Sequence, residues 1–577
     1  MGAVNQFRIS IEPGNTVVEA REGETLLDAL TRVGRDPATP CGGNGRCGKC
    51  TVTIRNHGDD RVVLACETYV HSDMTVWVDP DSELGVTQIV TKAVHRPVDP
   101  CPNVTVRSVA LDPPSLQDQR ADVERLNANG PRVELSPKMM ADLPEILRDS
   151  KWNVRTVAID GIVRWVEPGT ATGAPLGIAV DVGTTTVAAY LLDLDSGKPL
   201  AVASGGNPQA SRGHDVVTRI GYTMEVEAGL SELSGSIKGR ILELARECCQ
   251  KAGVSEDHVY EILAVGNPTM ICLLLGVPPR NIAAAPYIPP FTGAQVRREF
   301  WHRADLVTLP AISGYVGADT VGMVLSAELD KVDEPTLAID IGTNGEIVLA
   351  GPDRILACSA AAGPAFEGAQ ISQGMRAAPG AIDHVWMEDG DLAVSTIGNM
   401  AAIGICGTGL ADAVAVLLEE GAIEETGRCN GAATTSRLSE RIEAAGTGTR
   451  CKLAGDVWLT QKDVRELQLA KGAIRAGSEI LMKEMGITAR DLGRVVLAGA
   501  FGSYLSPQTV VRLGLLPEVS AEAVESVGNA AGSGAIIALL STRERARANQ
   551  IAERVEHIEL ASRMDFQEEL ANSMLFG

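Results

Sequence analysis

One ten-residue pattern occurs twice in this chain and determines how its larger part can fold. An apolar run leads into Asp181 and the turn Val-Gly-Thr within residues 178–187, and the same order of residue types returns around Asp340 within residues 337–346. The two copies align without a gap and lie 159 residues apart. In each copy the turn leads into a second apolar run, which predicts a β-hairpin. A repeat at this separation predicts two similar lobes that face each other across a cleft.

The turns of both hairpins carry groups that suit a polyphosphate and its metal ion. Backbone N–H groups and hydroxyls in a tight turn form a concave anion site. An aspartate at the mouth of such a turn can hold Mg2+ directly or through water, because hard cations prefer oxygen ligands. We predict Asp181, Asp340 and Glu346 as catalytic residues, and the base for the attacking water stays open between Glu346 and Glu367. Contacts to the nucleotide are predicted at Gly183, Thr184, Thr185, Thr186, Gly342, Thr343, Asn344 and Gly345.

Two further glycine-rich turns complete the predicted nucleotide site. Residues 495–503 follow an apolar strand, and their turn is predicted to hold an adenosine through Gly499, Ala500, Phe501 and Gly502. Residues 406–412 open a helix, whose N-terminal N–H groups favour phosphate, at Gly407, Thr408 and Gly409. Neither the P-loop nor the dinucleotide-binding glycine fingerprint occurs in the sequence.

Together these segments resemble the superfamily of ATPases that includes actin, the heat-shock chaperones, and the acetate and sugar kinases. Residues 181–186 are similar to its first phosphate motif, residues 340–346 to its second, and residues 497–503 to its adenosine motif. Residues 266–270 and 314–319 resemble the segments that join the two lobes. The resemblance implies that ATP and Mg2+ bind in the cleft.

Four cysteines near the N-terminus predict a second site of a different kind: Cys41, Cys47, Cys50 and Cys66. The loop between the first two is almost entirely glycine and polar residues, so its backbone can wrap a ligand and turn N–H groups towards sulfides. Four thiolates in this arrangement suit a [2Fe–2S] cluster, which transfers one electron at a time. A structural zinc site is the alternative, although zinc sites usually pair two C-x2-C motifs and only Cys47 and Cys50 form one here.

The residues around these cysteines predict a small mixed sheet with one helix. Apolar and polar residues alternate over residues 7–11, which is typical of a strand with one buried face. Thr25 and Asp28 match a capping box that opens a short helix ending near Leu30. Further strands are predicted at residues 51–54, 62–65 and 74–78. This order resembles the β-grasp fold of [2Fe–2S] ferredoxins, to which we assign residues 1–92.

The rest of the chain divides into three parts, which makes the fold class multidomain α/β (α+β). A proline-rich linker with little local structure is predicted over residues 93–125, with Cys101 in it expected to be a free thiol. A small middle domain over residues 126–174 is predicted to hold a helix at residues 137–148 and a hairpin turned by Asp160-Gly161. The two-lobed ATPase domain takes up residues 175–577.

Composition excludes some classes of partner. The formal net charge is -23, whereas a nucleic-acid-binding surface needs a basic patch. The same charge disfavours anionic membrane surfaces, and no apolar run reaches the roughly 18 residues of a membrane-spanning helix. The twelve cysteines are scattered rather than arranged as a disulfide framework. We therefore expect a cytoplasmic protein that binds neither nucleic acid nor a membrane.

A ferredoxin-like domain joined to an actin-like ATPase resembles the reductive activators of corrinoid-dependent enzymes. The likeness extends to residues 111–120, to residues 207–209 with 213–219, and to residues 358–368. It implies an ATP-dependent reductase that returns inactive Co(II) to Co(I) on the corrinoid protein of a methyltransferase system, one electron passing through the [2Fe–2S] cluster. The implied partners are that corrinoid protein and a low-potential donor such as a ferredoxin, a flavodoxin or a reductase. We also expect a homodimer.

Two other functions are compatible with the ATP motifs. One is a small-molecule kinase with a redox-sensing cluster, and the other is a chaperone-like ATPase in which the cluster is only structural. Neither accounts for the likeness at residues 111–120 and 358–368. The functions differ in whether ATP turnover responds to a Co(II) corrinoid protein or to a small substrate with a hydroxyl or carboxyl group.

Overall fold

The computed structural model describes residues 6–14, 16–33, 35, 37, 50–55, 60–78, 96–128, 130–368, 370–430, 436–445, 448–502 and 504–577. Cys41, Cys47 and the glycine-rich loop between them lie outside the described residues, and so does Ser503 in the predicted adenosine turn. No helix in the described part is long and apolar enough to cross a membrane.

The N-terminal domain is a five-stranded mixed sheet with one helix packed on it, as in a β-grasp ferredoxin. Its sheet has the order β2-β1-β5-β3-β4, and the central pair β1-β5 is parallel. Helix α1 begins after Thr25, whose hydroxyl accepts the Asp28 N–H at 3.2 Å, so the predicted cap is confirmed. The predicted strands are confirmed as well. The elements are β1 (Gln6–Glu12), β2 (Thr16–Arg21), α1 (Leu26–Thr31), β3 (Thr51–Arg55), β4 (Arg61–Leu64) and β5 (Met74–Trp77).

The middle of the chain forms a three-stranded antiparallel sheet, β6-β7-β8, with two helices. Asp160 and Gly161 both have positive φ, 54° and 70°, as the predicted two-residue hairpin turn requires. Ser136 caps the predicted helix by accepting the Met139 N–H. The elements are β6 (Val104–Ala110), α2 (Asp122–Ala128), α3 (Pro137–Asp149), β7 (Asn153–Ile159) and β8 (Ile162–Pro168).

The prediction of little local structure is wrong for residues 96–125, the described part of the predicted linker. Strand β6 pairs along its whole length with β7, and Cys101 exchanges backbone hydrogen bonds of 2.8 and 2.9 Å with Leu540 and Thr542. Arg96 forms an ion pair of 2.5 Å with Glu544. The prolines interrupt helix periodicity, but they leave enough N–H groups for a strand, and Val104 packs in the core of the ATPase domain.

The first lobe contains a six-stranded sheet with the order β11-β10-β9-β12-β14-β13. Strands β9, β10 and β11 form an antiparallel meander, and β12 and β14 continue from β9 in parallel. The elements are β9 (Leu176–Val182), β10 (Thr186–Asp193), β11 (Pro199–Gly206), α4 (Val216–Glu225), α5 (Gly229–Ala252), β12 (Val259–Gly266), α6 (Pro268–Leu275), β13 (Val296–Trp301), β14 (Ala304–Thr308) and α7 (Ala318–Ser326).

The second lobe repeats this arrangement in the order β25-β24-β15-β16-β17-β26. An antiparallel meander is again followed by parallel strands next to its first strand, so the predicted duplication is confirmed. The elements of the sheet and its helices are β15 (Thr336–Ile341), β16 (Gly345–Ala350), β17 (Ile355–Ala360), α8 (Gly407–Glu419), α10 (Gln461–Met485), β24 (Arg494–Ala498), α11 (Gly499–Gly502), α12 (Pro507–Arg512), β25 (Val524–Gly528), α13 (Ala530–Leu540), α14 (Thr542–Arg554), β26 (Val555–His557) and α15 (Met564–Ser573).

Two small three-stranded sheets, one mixed and one antiparallel, and one short helix are added to the second lobe. They are β18 (Ala381–Glu388), β19 (Asp391–Thr396), β20 (Gly404–Ile405), α9 (Ser436–Glu440), β21 (Ile442–Ala445), β22 (Gly448–Ala454) and β23 (Val457–Thr460).

The two lobes share one apolar core at the base of the cleft. Helix α13 packs against α7, where Gly322 and Gly534 let the two backbones approach more closely than any side chain would permit. Ala179 of the first sheet and Val348 of the second are buried in the same cluster. This joint places the two hairpin turns opposite each other.

Candidate functional site

A cavity of about 420 Å³ lies in the cleft between the two hairpin turns. Both aspartates of the repeated pattern, Asp181 and Asp340, line it, and Glu346 lines it as well. Eleven other residues predicted to contact a nucleotide also line the cavity: Gly183, Thr184, Thr185, Thr186, Gly342, Thr343, Asn344, Gly407, Thr408, Gly499 and Phe501. The structure therefore brings most of the predicted residues into one place.

Four carboxyl groups converge at the deep end of the cavity. Asp340 and Glu346 lie directly opposite each other on β15 and β16, and Asp181 ends β9 of the facing lobe. Asp319, in the first turn of α7, is the fourth. Like charges opposite each other on neighbouring strands are destabilising, so a cation at this position would offset a cost that the fold otherwise carries.

Burial raises the pKa of each of these carboxyl groups. It raises the pKa of Asp181 to about 6, against a stabilising hydrogen bond from Asn529. Burial, with a smaller contribution from the neighbouring acids, raises the pKa of Asp319 and of Asp340 to about 7. The pKa of Glu346 is raised for the same two reasons.

Mg2+ fits this end of the cavity as an ion that keeps much of its water. In the described residues, no three acidic, histidine or cysteine side chains are close enough to hold a metal ion by themselves. Mg2+ typically takes one or two carboxylates and completes its shell with water and substrate phosphates. The carboxyl groups thus fit a metal ion that arrives together with a polyphosphate.

Buried polar side chains hold the first hairpin turn in shape. The Asn207 side-chain amide donates to the Gly183 carbonyl at 2.8 Å, and its backbone N–H donates to the Thr185 carbonyl at 2.8 Å. Arg219, fully buried, donates to the Thr184 carbonyl at 2.5 Å. The hydroxyls of Thr184 and Thr185 line the cavity, where each already has a hydrogen-bond partner in the protein.

Glu367 bridges the two turns. Its carboxylate accepts the Thr185 hydroxyl at 2.7 Å and the Thr343 hydroxyl at 2.5 Å. The two hydroxyl oxygens are themselves 3.5 Å apart. One anion therefore occupies hydrogen-bond donors from both lobes.

The other end of the cavity has an aromatic wall. Phe366 and Phe501 lie with ring centroids 4.5 Å apart. Gly499 has a φ of 86°, and a Cβ at that position would overlap the Asp340 carboxylate, so the glycine brings this wall close to the acidic end. The Cys406 side chain does not cap α8, so the N–H groups at the start of that helix face the cavity beside Gly407 and Thr408.

Three predicted contacts lie behind the cavity wall rather than on it. A Cβ at Gly345 would meet Ile474 of α10, and one at Gly409 would overlap the Ile382 carbonyl, so both glycines allow close packing. Gly502 faces Leu497. The side chain of Ala500 is outside the described residues.

The cluster site is visible through two of its four predicted ligands. Cys50 precedes β3 and Cys66 follows β4, so the β3-β4 hairpin brings them to the same end of the sheet. Their sulfurs are 3.2 Å apart, they are not joined in a disulfide, and the side chains are 1% and 8% exposed. Two buried thiols at this distance fit adjacent ligands of one metal centre. Cys101 is far along the chain and contacts Thr542, as expected of a free thiol.

Replacing Cys50 or Cys66 by serine is expected to remove the metal centre. The as-purified protein should contain about two irons and two acid-labile sulfides per chain, because each predicted ligand is a thiolate. Cys101→Ser is the matched control and should keep both. Elemental analysis with a sulfide assay is the measurement, and one zinc without labile sulfide would contradict the iron–sulfur prediction.

The domain of Cys50 contacts the first lobe close to the nucleotide cavity. Asp28 of α1 forms an ion pair of 2.7 Å with Arg212. Arg212 ends the short 3-10 helix Pro208–Arg212, which begins after Asn207. The residue that orders the first phosphate turn and the residue that contacts the ferredoxin-like domain therefore belong to the same short segment.

Sequence reasoning missed three groups at the site. Asp319 lies in a segment predicted only to join the lobes, Asn529 caps α13 and donates to Asp181 at 2.8 Å, and Arg376 lines the cavity. Asp319 is preceded by Gly317, where any side chain would overlap the 266–267 backbone, and this glycine was the available signal. No pattern marks Asn529 or Arg376, since neither belongs to the repeat.

Comparisons with known proteins cover nearly the whole length of the chain. Family profiles match residues 9–71 as a 2Fe-2S iron-sulfur cluster binding domain and residues 93–173 as the RACo linker region. They match residues 176–332 as the RACo middle region and residues 334–577 as the C-terminal ASKHA domain of RACo. The division at residues 332–334 coincides with the passage from the first lobe to the second.

Individual relatives agree with these profiles. The chain is 32% identical over 588 residues to the corrinoid activation enzyme RamQ of Eubacterium limosum, with 97% of each chain covered. It is 29% identical over 391 residues to the [Co(II) methylated amine-specific corrinoid protein] reductase of Methanosarcina barkeri, covering 60% of this chain and 67% of the relative. A solved structure titled as a reductive activator for a corrinoid, iron-sulfur protein superposes with a TM-score of 0.75 at 32% identity, covering 99% of this chain and 98% of that one.

Proposed function

This chain belongs to the RACo family, and we propose that it is an ATP-dependent reductive activator that converts the Co(II) form of a corrinoid protein to Co(I). The observation that carries the proposal is the presence of two separate sites on one chain. One is a pair of buried thiols 3.2 Å apart in a ferredoxin fold, and the other is a cavity between two duplicated lobes that is lined by the two predicted phosphate-binding turns. Relatives that cover nearly the whole chain are named for corrinoid activation.

The reaction explains why the two sites are needed together. A cluster held by Cys41, Cys47, Cys50 and Cys66 supplies one-electron transfer at low potential. Cob(II)alamin-type cobalt is hard to reduce, and for one electron each ~59 mV of unfavourable potential is a tenfold unfavourable equilibrium. Nucleotide can offset this deficit only if its binding or hydrolysis favours one of two conformations of the complex with the corrinoid protein. The ATPase domain can supply these two conformations, because its two lobes can move relative to each other about their shared core.

Residues of the cavity take the following roles. Asp181 and Asp340 would hold Mg2+, which prefers oxygen ligands, and the hydroxyls and N–H groups of the two turns would bind the phosphates. Asp319 and Glu346 complete the acidic end that attracts the ion. The aromatic wall at Phe366 and Phe501 receives the adenosine.

The Asp28–Arg212 contact gives the two activities a physical connection. A phosphate bound at Thr184 and Thr185 acts on the turn that Asn207 holds, and Asn207 is followed by the short helix that ends at Arg212. An ion pair that solvent still reaches is worth roughly 0–1 kcal/mol. Both side chains are only partly buried, so the contact is weak enough to be broken and remade in each cycle. A low-potential electron donor and a homodimeric state complete the proposal.

The deciding experiment follows cobalt absorbance under anaerobic conditions. The intact protein, a one-electron donor and a Co(II) corrinoid protein should form Co(I) with ATP and stay near the starting level with ADP. Equal rate and extent without ATP would contradict the activator mechanism. An increase of ATP turnover with small hydroxyl or carboxyl compounds, but not with the corrinoid protein, would instead support a kinase.

A further inference from the structure

Arg376 is a buried cation without a partner at the centre of the cleft. Its two terminal nitrogens, Nη1 and Nη2, are shielded from solvent, and neither has a hydrogen-bond partner among the described residues. Leaving a buried charged group unpaired is costly, and native proteins rarely retain one without a reason. A side chain of this kind, lining a cavity, indicates a ligand that the cavity is built to take.

The position of Arg376 places it between the lobes. It belongs to the second lobe, but its Nη1 lies 3.8 Å from where a Cβ of Gly206 would be, at the end of β11 in the first lobe. Its charge also acts on His214 of the first lobe, whose Nε2 is buried without a described partner. The guanidinium therefore reaches across the cleft to the side that carries the first phosphate turn.

Glu367 is held next to the arginine by backbone packing. The residue after it, Gly368, has a φ of 74°, and a Cβ there would overlap the Met375 carbonyl, one residue before Arg376. The two backbones are therefore in direct contact. Glu367 nonetheless points to Thr185 and Thr343 instead of pairing with the arginine beside it.

A phosphate cannot use the threonine hydroxyls while Glu367 holds them. Both are anions that accept hydrogen bonds, and two negative charges at one set of donors repel each other. The carboxylate must leave when the outermost phosphate enters between the turns. Arg376 is the available cation, and it can neutralise both the displaced carboxylate and the incoming phosphate.

We propose that Arg376 binds the terminal phosphate of ATP and that Glu367 moves from the two threonines to Arg376 when that phosphate enters. ADP lacks the group that displaces Glu367, so it leaves the bridge between the lobes in place. The pair thus distinguishes ATP from ADP and gives the two nucleotides different interlobe contacts. The inference deepens the proposed function, on which it rests for the identity of the ligand.

The test compares the affinity for a non-hydrolysable ATP analogue with that for ADP, both with Mg2+, by calorimetry on the full-length protein. Arg376→Met should lower the affinity for the analogue by about 10- to 100-fold, because hydrogen bonds to charged groups are stronger than those between neutral groups. The same substitution should change the affinity for ADP by less than about threefold. Arg376→Lys should keep part of the preference. Glu367→Gln should bind the analogue more tightly than the wild type, because the repulsion is gone.

Two measurements separate this role from a structural one. The melting temperature of Arg376→Met should equal or exceed that of the wild type, because the substitution removes a buried unpaired charge. Arg354→Gln, which breaks a surface ion pair with Glu556 in the same lobe, is the matched control and should leave both affinities unchanged. If Arg376→Met lowers the affinities for both nucleotides equally, or leaves the affinity for the analogue unchanged, the inference is overturned while the proposed function stands. A wild type that binds neither nucleotide would overturn both.

Discussion

Asp340→Asn is expected to slow ATP hydrolysis by at least about 10²-fold, on the order of 3 kcal/mol, as is typical when a group acts mainly in the transition state. Asp340 lies at the end of β15, opposite Glu346 on β16 and facing Asp181 across the cleft. An asparagine has the same shape, so the close approach of Gly499 is kept. The substitution removes the negative charge that orients Mg2+. Steady-state phosphate release with saturating ATP and Mg2+ is the measurement.

The fold of this variant should survive, because it loses one of several buried acids that repel each other. Its melting temperature without Mg2+ is expected to be at least that of the wild type. Asp305→Asn is the matched control, since Asp305 is also buried in a sheet but lies outside the cavity. Its ATPase rate should stay within about twofold of the wild type, as for most substitutions away from a site. Wild-type activity in Asp340→Asn would reject the role of the paired hairpins.

The repeat made the ATPase fold predictable because it carries both its chemistry and its topology. An apolar strand, an aspartate and a Gly-Thr turn specify a hairpin wherever they occur, and the second copy specifies the second lobe. The order of strands then follows, since β12 next to β9 and β24 next to β15 continue the same arrangement. The glycines were harder to interpret. Gly345 and Gly409 are required for packing against Ile474 and Ile382, which no local pattern distinguishes from contact with a ligand.

Residues 96–125 show where a local pattern fails. Frequent prolines weaken both helix and strand signals, so the segment was predicted to be a linker. Its order comes from distant partners instead: β6 pairs with β7, Cys101 with Leu540 and Thr542, and Arg96 with Glu544. Partners that lie up to 448 residues away in the sequence leave no mark on a local window.

The same limit hid Arg376 and Asn529. The approach of each side chain to the first lobe exists only after the two lobes have come together. Asn529 is 348 residues from the aspartate it holds. Glu367 was recognised by its position in residues 358–368, but its bridge between Thr185 and Thr343 depends on both turns at once.

Separating the domains is expected to abolish cobalt reduction while retaining nucleotide binding. The fragment should begin at residue 96, because Arg96, Cys101 and Val104 are attached to the ATPase domain and their removal would expose its core. Residues 96–577 contain every residue of the cavity but none of the four predicted cluster ligands. Calorimetry should therefore give an ATP affinity within about threefold of the full-length value, as expected when no contacting group is lost.

Single substitutions should separate cobalt reduction from nucleotide binding within the intact chain. Cys50→Ser is expected to reduce Co(I) formation to the level without activator, because it removes the electron carrier, and to leave nucleotide affinity unchanged. Asp340→Asn should keep its iron and sulfide and accept an electron from the donor, yet fail to form Co(I) beyond the level reached without ATP. Cys101→Ser should behave as the wild type in every assay.

Cobalt reduction by the 96–577 fragment, or ATP-driven reduction by Asp340→Asn, would show that the two sites are not coupled. A coupled reaction requires that Cys50→Ser and Asp340→Asn both lose cobalt reduction while each keeps the activity of its unchanged site. The electron and the free energy that drives its transfer enter the protein at different places, at Cys50 and at Asp181, which lie more than a hundred residues apart in sequence.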